Sequence, residues 1–213
     1  MNLFKLFKKP AGQEALPYYP RTALEDIKPA SALVFYGSPG NRATELVGSR
    51  LYKFPYTPPP FHAALYLSNG EFLNVGKLRA VIALQKELLN TRRCDVIEYR
   101  MSDKARQDIE ASGRNDTSKI NTALEKLLHR PIWDYAFTDF LRFGIHSIKP
   151  SKADFCSENV VENMNAGGLH PSAHKAVDTA PWDLIEWAEA HPEVATISTV
   201  WEGDIFKQRL GRR

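Results

Sequence analysis

The chain is expected to fold as an α+β domain in which an antiparallel sheet packs against helices. Three observations predict this. Short apolar runs bounded by turn residues cluster between residues 31 and 99, helical periodicity dominates from 103 onward, and 213 residues at 43% hydrophobic and 25% charged can bury a substantial core. A basic extension or tether is expected over residues 1–29, and the domain itself over 30–213.

Taken in order, residues 2–9 set Leu3, Phe4, Leu6 and Phe7 beside three lysines, the pattern of either an interfacial or partner-docking segment or a frayed basic terminus. ALVFYG (32–37) reads as a strand closed by Gly37, and SPGN as a turn leading to a helix over ATELVGSRLYKF. The run FPYTPPP (54–60) cannot be helical, because successive prolines remove backbone donors and enforce extended geometry. FHAALYL, SNG and EFLNV then read as a β-hairpin. Further strands are expected at Ala80 to Leu84 and at CDVIEY (94–99). Residues 103–129 suggest two helical pieces with a turn near Gly113. A helix should begin at or just after Cys156 and be capped by Gly167 and Gly168, and another should start at Pro181. TISTVW (196–201) reads as the last strand, and helices are expected on one side of the sheet.

Several classes are disfavoured by composition. Twenty-eight basic and 25 acidic residues leave a net charge of +3 without a basic stripe, so nothing indicates nucleic acid. The lysines of MNLFKLFKKP interrupt the apolar stretch that an export signal or membrane span needs, which points to synthesis and retention in the cytoplasm. Two distant cysteines define neither a disulfide framework nor a zinc ribbon. His170 and His174 have a spacing that could hold a metal but lack a third ligand, so neither metal nor cofactor is expected.

The chemistry is expected at Cys156. A thiol on the first turn of a helix faces unpaired N–H groups and the positive end of the helix dipole, which favour thiolate. Its base is expected to be His62, at the mouth of a strand behind the proline run. Were SNG a three-residue loop with Gly70 left-handed, Leu67 would pair Glu71, and His62, Ala64 and Asn74 would share one face. A two-residue loop would send Asn74 to the other face. With Asn74 fixing the imidazole tautomer, nucleophile, base and orienter are all named. The backbone N–H of Cys156 is the first oxyanion donor, and the second stays open. Cys94, among apolar strand residues, is read as structural.

HAALYLSNGEFLN resembles the His strand and following strand of the NlpC-like cysteine peptidases, papain-type enzymes of cell-wall turnover. DFCSENVVENM follows it by more than ninety residues, the order found in the circularly permuted branch that includes YiiX-like and YaeF-like bacterial proteins, certain poxvirus proteins and the lecithin:retinol acyltransferase group. ALVFYGSPGN is similar to the branch's opening strand, WDYAF to its aromatic-Asp segment and TAPWDLIEWA to its closing segment. Two departures stand out: Ser31-Ala32 where the branch carries Gly-Asp ahead of that strand, and Ser-Glu-Asn after the cysteine where it has Ser-Glu-Leu.

The resemblance implies a permuted papain-like fold with Cys156 as nucleophile, His62 as base and Asn74 as orienter. Tyr36, Trp133 and Tyr135 are candidates to line the substrate pocket, and Asp134 is a pocket or a structural carboxylate. The expected activity is a thiol hydrolase acting on an amide, foremost a peptide bond of peptidoglycan stems, through a thioacyl-enzyme. Such a substrate without an export signal suggests a bacteriophage origin, with the chain a virion component or lysis enzyme docked through residues 2–9. The alternatives are a lipid or acyl-chain acyltransferase or thioesterase on the same fold, and a non-catalytic structural or binding module.

Overall fold

Strand β2 (Ala32–Tyr36) is buried along its whole length, so neither of its faces alternates with solvent. It lies inside a six-stranded sheet, and a strand covered on both faces reads as a continuous apolar run. The structure is a computed structural model that describes residues 14–37, 56–57, 60–75, 79–116 and 156–203. Expected features at 2–9, the helix after SPGN, His129, Trp133, Asp134, Tyr135 and His146 lie outside the described residues.

The other strands are β1 (Glu14–Ala15), β3 (Tyr56–Thr57), β4 (Pro60–Tyr66), β5 (Glu71–Val75), β6 (Arg79–Ala83), β7 (Arg93–Tyr99) and β8 (Ala195–Glu202). The described helices are α1 (Leu84–Leu88), α2 (Asp103–Asp116), α3 (Cys156–Ala166) and α4 (Pro181–Ala190). The sheet runs β6-β5-β4-β2-β7-β8 with every neighbour antiparallel. β1 and β3 form a separate two-residue parallel pair.

Strand alternation sorts the core into two layers. On one face Val34, Ala63, Leu65, Leu73 and Ile97 pack with Ile109 of α2, Val160, Val161 and Met164 of α3, and Leu184, Ile185 and Ala188 of α4. On the other, Leu33, Phe35, Ala64, Tyr66, Phe72, Cys94 and Val96 pack with Leu84 and Leu88 of α1 and with Ile27. The expectation of helices on one side is corrected accordingly: three described helices share a face, and the short α1 covers the other.

A second correction concerns Gly113, expected in a turn. Helix α2 runs through it unbroken. A side chain there would bring a Cβ within 2.9 Å of the Cδ2 methyls of both Leu65 and Leu67, so the glycine lets α2 approach the sheet closely. Gly168, at φ +77°, closes α3 as expected. Leu169 N–H donates to Met164 O and Gly168 N–H to Asn165 O, the pair of bonds that satisfies the last carbonyls of a helix. Pro181 opens α4, where Asp183 Oδ2 accepts from Ala180 N–H at 2.7 Å.

The described part of the N-terminal tether is packed down. Thr22 N–H donates to Thr199 O, Thr199 N–H donates to Pro20 O, and Arg93 Nη2 donates to Pro17 O at 2.8 Å.

Candidate active site

The hairpin that carries His62 and Asn74 has the register expected of it, reached through a different turn. Leu65 pairs Leu73 and Tyr66 pairs Phe72. Asn69 (φ +56°) and Gly70 (φ +73°) are both left-handed, and Glu71 N–H donates to Ser68 O, which is a two-residue type I′ turn. Leu67 N–H also donates to Glu71 O, so Leu67 and Ser68 together oppose Glu71 as a β-bulge. The bulge restores the register that the shorter loop would have shifted. His62 and Asn74 therefore fall on one face, and His62 Nε2 donates to Asn74 Oδ1 at 2.7 Å. An amide oxygen only accepts, so Nε2 carries the ring proton and Nδ1 is left as the basic nitrogen.

A second bulge aims the histidine. Phe35 pairs His62 while Tyr36 pairs Pro60, leaving Phe61 as the extra residue on β4. A bulge turns consecutive side chains toward one side, and the Phe61 ring accordingly stacks on the imidazole at 6.3 Å and 27°. Phe35 stacks on it at 5.6 Å and 25°. Neither phenylalanine nor the bulge is anticipated above. The available signal was Pro60, since a proline inside an apolar strand run marks a strand start or a bulge.

Cys156 is the first residue of α3, as expected, and is 5% exposed. Its side chain belongs to the core layer of the helical face, whereas His62 stacks on Phe35 of the opposite layer. The backbone of β4 lies between these two layers. Tyr66 exchanges backbone bonds with residues 30 and 31 on the β2 side, so odd residues of β4 direct their N–H groups toward β5. Pairing of β4 with β5 extends no further toward the start of β4 than Leu65↔Leu73, which leaves Ala63 N–H facing an opening between the strands. That N–H donates to the Cys156 sulfur. Cys156 thus touches the backbone of the residue next to His62, and among the described residues no hydrogen bond joins the thiol to the imidazole itself.

Burial dominates the electrostatics of both groups. It pushes the Cys156 thiol up to about 11, against the opposing effect of the N–H groups of Ala63, Ser157 and Cys156. It pushes His62 down to about 4, against the bond to Asn74. The N–H groups at the helix start lower the thiol pKa as expected, but desolvation outweighs them, which favours neutral thiol beside neutral imidazole. Ser157 also donates to Thr179 O at 2.6 Å, tying the start of α3 to the segment before α4.

A depressed imidazole carries a stability consequence with a definite sign. Below about pH 6.5 an unfolded histidine takes up a proton that folded His62 refuses until about pH 4. His62, half-buried on β4, therefore makes stability fall as pH drops through that window. Urea midpoints from pH 7 to 4 should show a steeper decline for wild type than for His62→Gln.

Of the candidate pocket residues, Tyr36 is 1% exposed in the core, with the Arg93 guanidinium 5.6 Å from its ring centroid. Trp133 and Tyr135 lie outside the described residues. Cys94 is fully buried in β7, in keeping with a structural role. His170 bonds Asn165 Oδ1 and accounts for its other ring nitrogen at His174 O, and no metal-binding group of His, Cys, Asp or Glu exists among the described residues. No described helix is long and apolar enough to cross a membrane.

Neither models of known protein families nor curated proteins give a match to this chain.

Proposed function

We propose that the chain is a thiol hydrolase of permuted papain-like fold that cleaves an amide through a thioacyl-enzyme, with Cys156 as nucleophile, His62 as general base and Asn74 as its orienter. One observation carries the reading: His62 Nε2 is held at 2.7 Å by Asn74 Oδ1 while the sulfur at the head of α3 accepts from Ala63 N–H, one residue away.

Because both groups rest neutral, the thiol proton moves to Nδ1 as Sγ attacks the carbonyl carbon, so thiolate forms during attack. The imidazolium then returns that proton to the departing amine as the C–N bond breaks, leaving a thioester. Water, deprotonated by Nδ1, attacks the thioester and releases the acid and the restored thiol. The Cys156 N–H is the first donor to the oxyanion. A peptide bond of peptidoglycan stems is the substrate we propose, on the resemblance of the His and Cys segments to NlpC-like enzymes. Docking of a phage-encoded chain through residues 2–9 would bring it to the wall.

Labelling with a thiol-directed electrophile across pH tests the reading. Wild type should react at Cys156 at a rate nearly flat between about pH 5 and 10, because the neutral base assists attack. His62→Ala should lose that plateau and follow thiolate formation alone, and Cys156→Ala should take no label. Indifference of Cys156 labelling to His62 would refute the base assignment. Mass spectrometry of digested wall fragments separates peptide cleavage from acyl transfer, the latter leaving an acylated acceptor instead of two hydrolysed ends.

A further inference from the structure

We propose that Phe35 is a positioning residue for His62: from the cross-strand position opposite the bulge at Phe61, its ring fixes the imidazole plane so that Nε2 meets Asn74 and Nδ1 stays free. The inference rests on the hydrolase reading for its meaning in catalysis, but the placement it asserts is a property of the ring alone.

The imidazole plane is set by rotation about Cβ–Cγ, an axis that passes close to Nε2, so a hydrogen bond at Nε2 locates that nitrogen while only weakly restraining the plane. A second constraint must act on the ring face. Phe35 supplies it, with centroids 5.6 Å apart and planes 25° from parallel. Phe35 is itself closely packed: it is fully buried on the interior strand β2, with Phe72 at 5.7 Å and 45° on its flank. Rotation of the imidazole would drive it into a ring that cannot yield, because a close-packed core has no room to take up the displacement. Phe61 adds a contact at 6.3 Å but is only partly buried, so it is the weaker constraint. The cross-strand pair Phe35↔His62 fixes which rings meet, and Pro60, having no N–H, disposes the strand to bulge beside it.

The test is the nitrogen spectrum of His62, read by long-range proton–nitrogen correlation in the full chain. Wild type should show the Nε2–H tautomer alone, with the Cε1 proton shifted upfield by the stacked phenyl. Phe35→Leu should mix the two tautomers, move the titration midpoint up from about 4 toward 6.5, and slow Cys156 labelling by about 10- to 10²-fold. Phe35→Tyr, which keeps the stacked ring, should restore the tautomer and the rate. Apart from the Asn74 amide, no described side chain enters the electrostatics of His62, so a shift in that midpoint reports on stacking and water access.

An unchanged tautomer and midpoint in Phe35→Leu would overturn the proposal. If that variant does not fold, wild type still decides: a dominant Nδ1–H tautomer, or an unshifted Cε1 proton, overturns it, and the Nε2–H tautomer with the upfield shift upholds it. Labelling indifferent to His62 would defeat the hydrolase reading while leaving these spectra interpretable, so the two failures are distinguishable.

Discussion

Cys156→Ala is expected to abolish amide cleavage, lowering kcat/KM by on the order of 10⁴–10⁶, and His62→Ala to approach the same loss, because residues that act as a unit fail together. The pH profile gives the prediction its physical content. With His62 at about 4 and Cys156 at about 11, kcat/KM of wild type should rise through pH 4, hold level across the neutral range and fall only near pH 11. The sign follows from the protons: below pH 4 the base is occupied, and above 11 the thiol proton needed for the leaving amine is gone. Asn74→Ala frees the ring to take either tautomer and should lose part of the ~10²–10⁴ that an oriented base supplies. Its acid limb should also move, since the bond to Asn74 is what raises His62 against burial. An acid limb near the ordinary histidine value of 6.5 in wild type would mean that the imidazole works in water and outside its described setting.

Legibility of this molecule in its sequence followed how local each cause is. The strands Ala32–Tyr36, Arg93–Tyr99 and Ala195–Glu202 and the helices beginning at Cys156 and Pro181 were readable because apolar runs, periodicity and caps lie within each segment. The register that joins His62 to Asn74 was reached from an assumed three-residue loop. The chain instead makes a two-residue turn and restores the offset with a bulge at Leu67–Ser68, a compensation between two deviations that no pattern of turn residues discloses. Gly113 looked like a turn because glycine usually breaks a helix, and only the positions of Leu65 and Leu67 show that it makes room for them. The depth at which Tyr36 is buried was likewise hidden, because an aromatic beside a sheet has no label saying core. The pKa of Cys156 divides in the same way between local and assembled causes. The donors at the head of α3 are local and legible, whereas the depth at which the fold buries Cys156 is a property of the assembled core, and burial outweighs those donors.

Gly167→Ala is expected to be strongly destabilising, and its cost is decided by what the new atom meets. A Cβ at Gly167 would lie 2.6 Å from both Cγ1 and Cδ1 of Ile109 and 2.8 Å from the backbone oxygen of Ala105. Side-chain carbons can retreat, but the Ala105 carbonyl belongs to the α2 backbone, so α2 and α3 must separate or α3 must unwind its end. Overpacking of that kind costs about 1–3 kcal/mol, and the carbonyl contact places this substitution toward the upper end. Two neighbouring glycines serve as internal standards. At Gly113 the nearest atoms to the added carbon are the Cδ2 ends of Leu65, Leu67 and Leu73, two of them at 2.9 Å, and replacing a helical glycine returns up to about 1 kcal/mol of helix propensity, so Gly113→Ala should cost less than Gly167→Ala. Gly168 faces open space but holds φ +77°, so Gly168→Asn, a residue that tolerates the left-handed region, should cost well under 1 kcal/mol. Denaturant midpoints at unchanged m-value should therefore rank Gly167→Ala below the other two. Because α3 begins at Cys156, the same displacement should reach the thiol: Gly167→Ala should slow Cys156 labelling at pH 7 in the residual folded protein, whereas Gly168→Asn should leave it unchanged. Equal midpoints across the three variants would mean that α2 and α3 do not pack as closely as Ile109, Ala105 and Gly167 require.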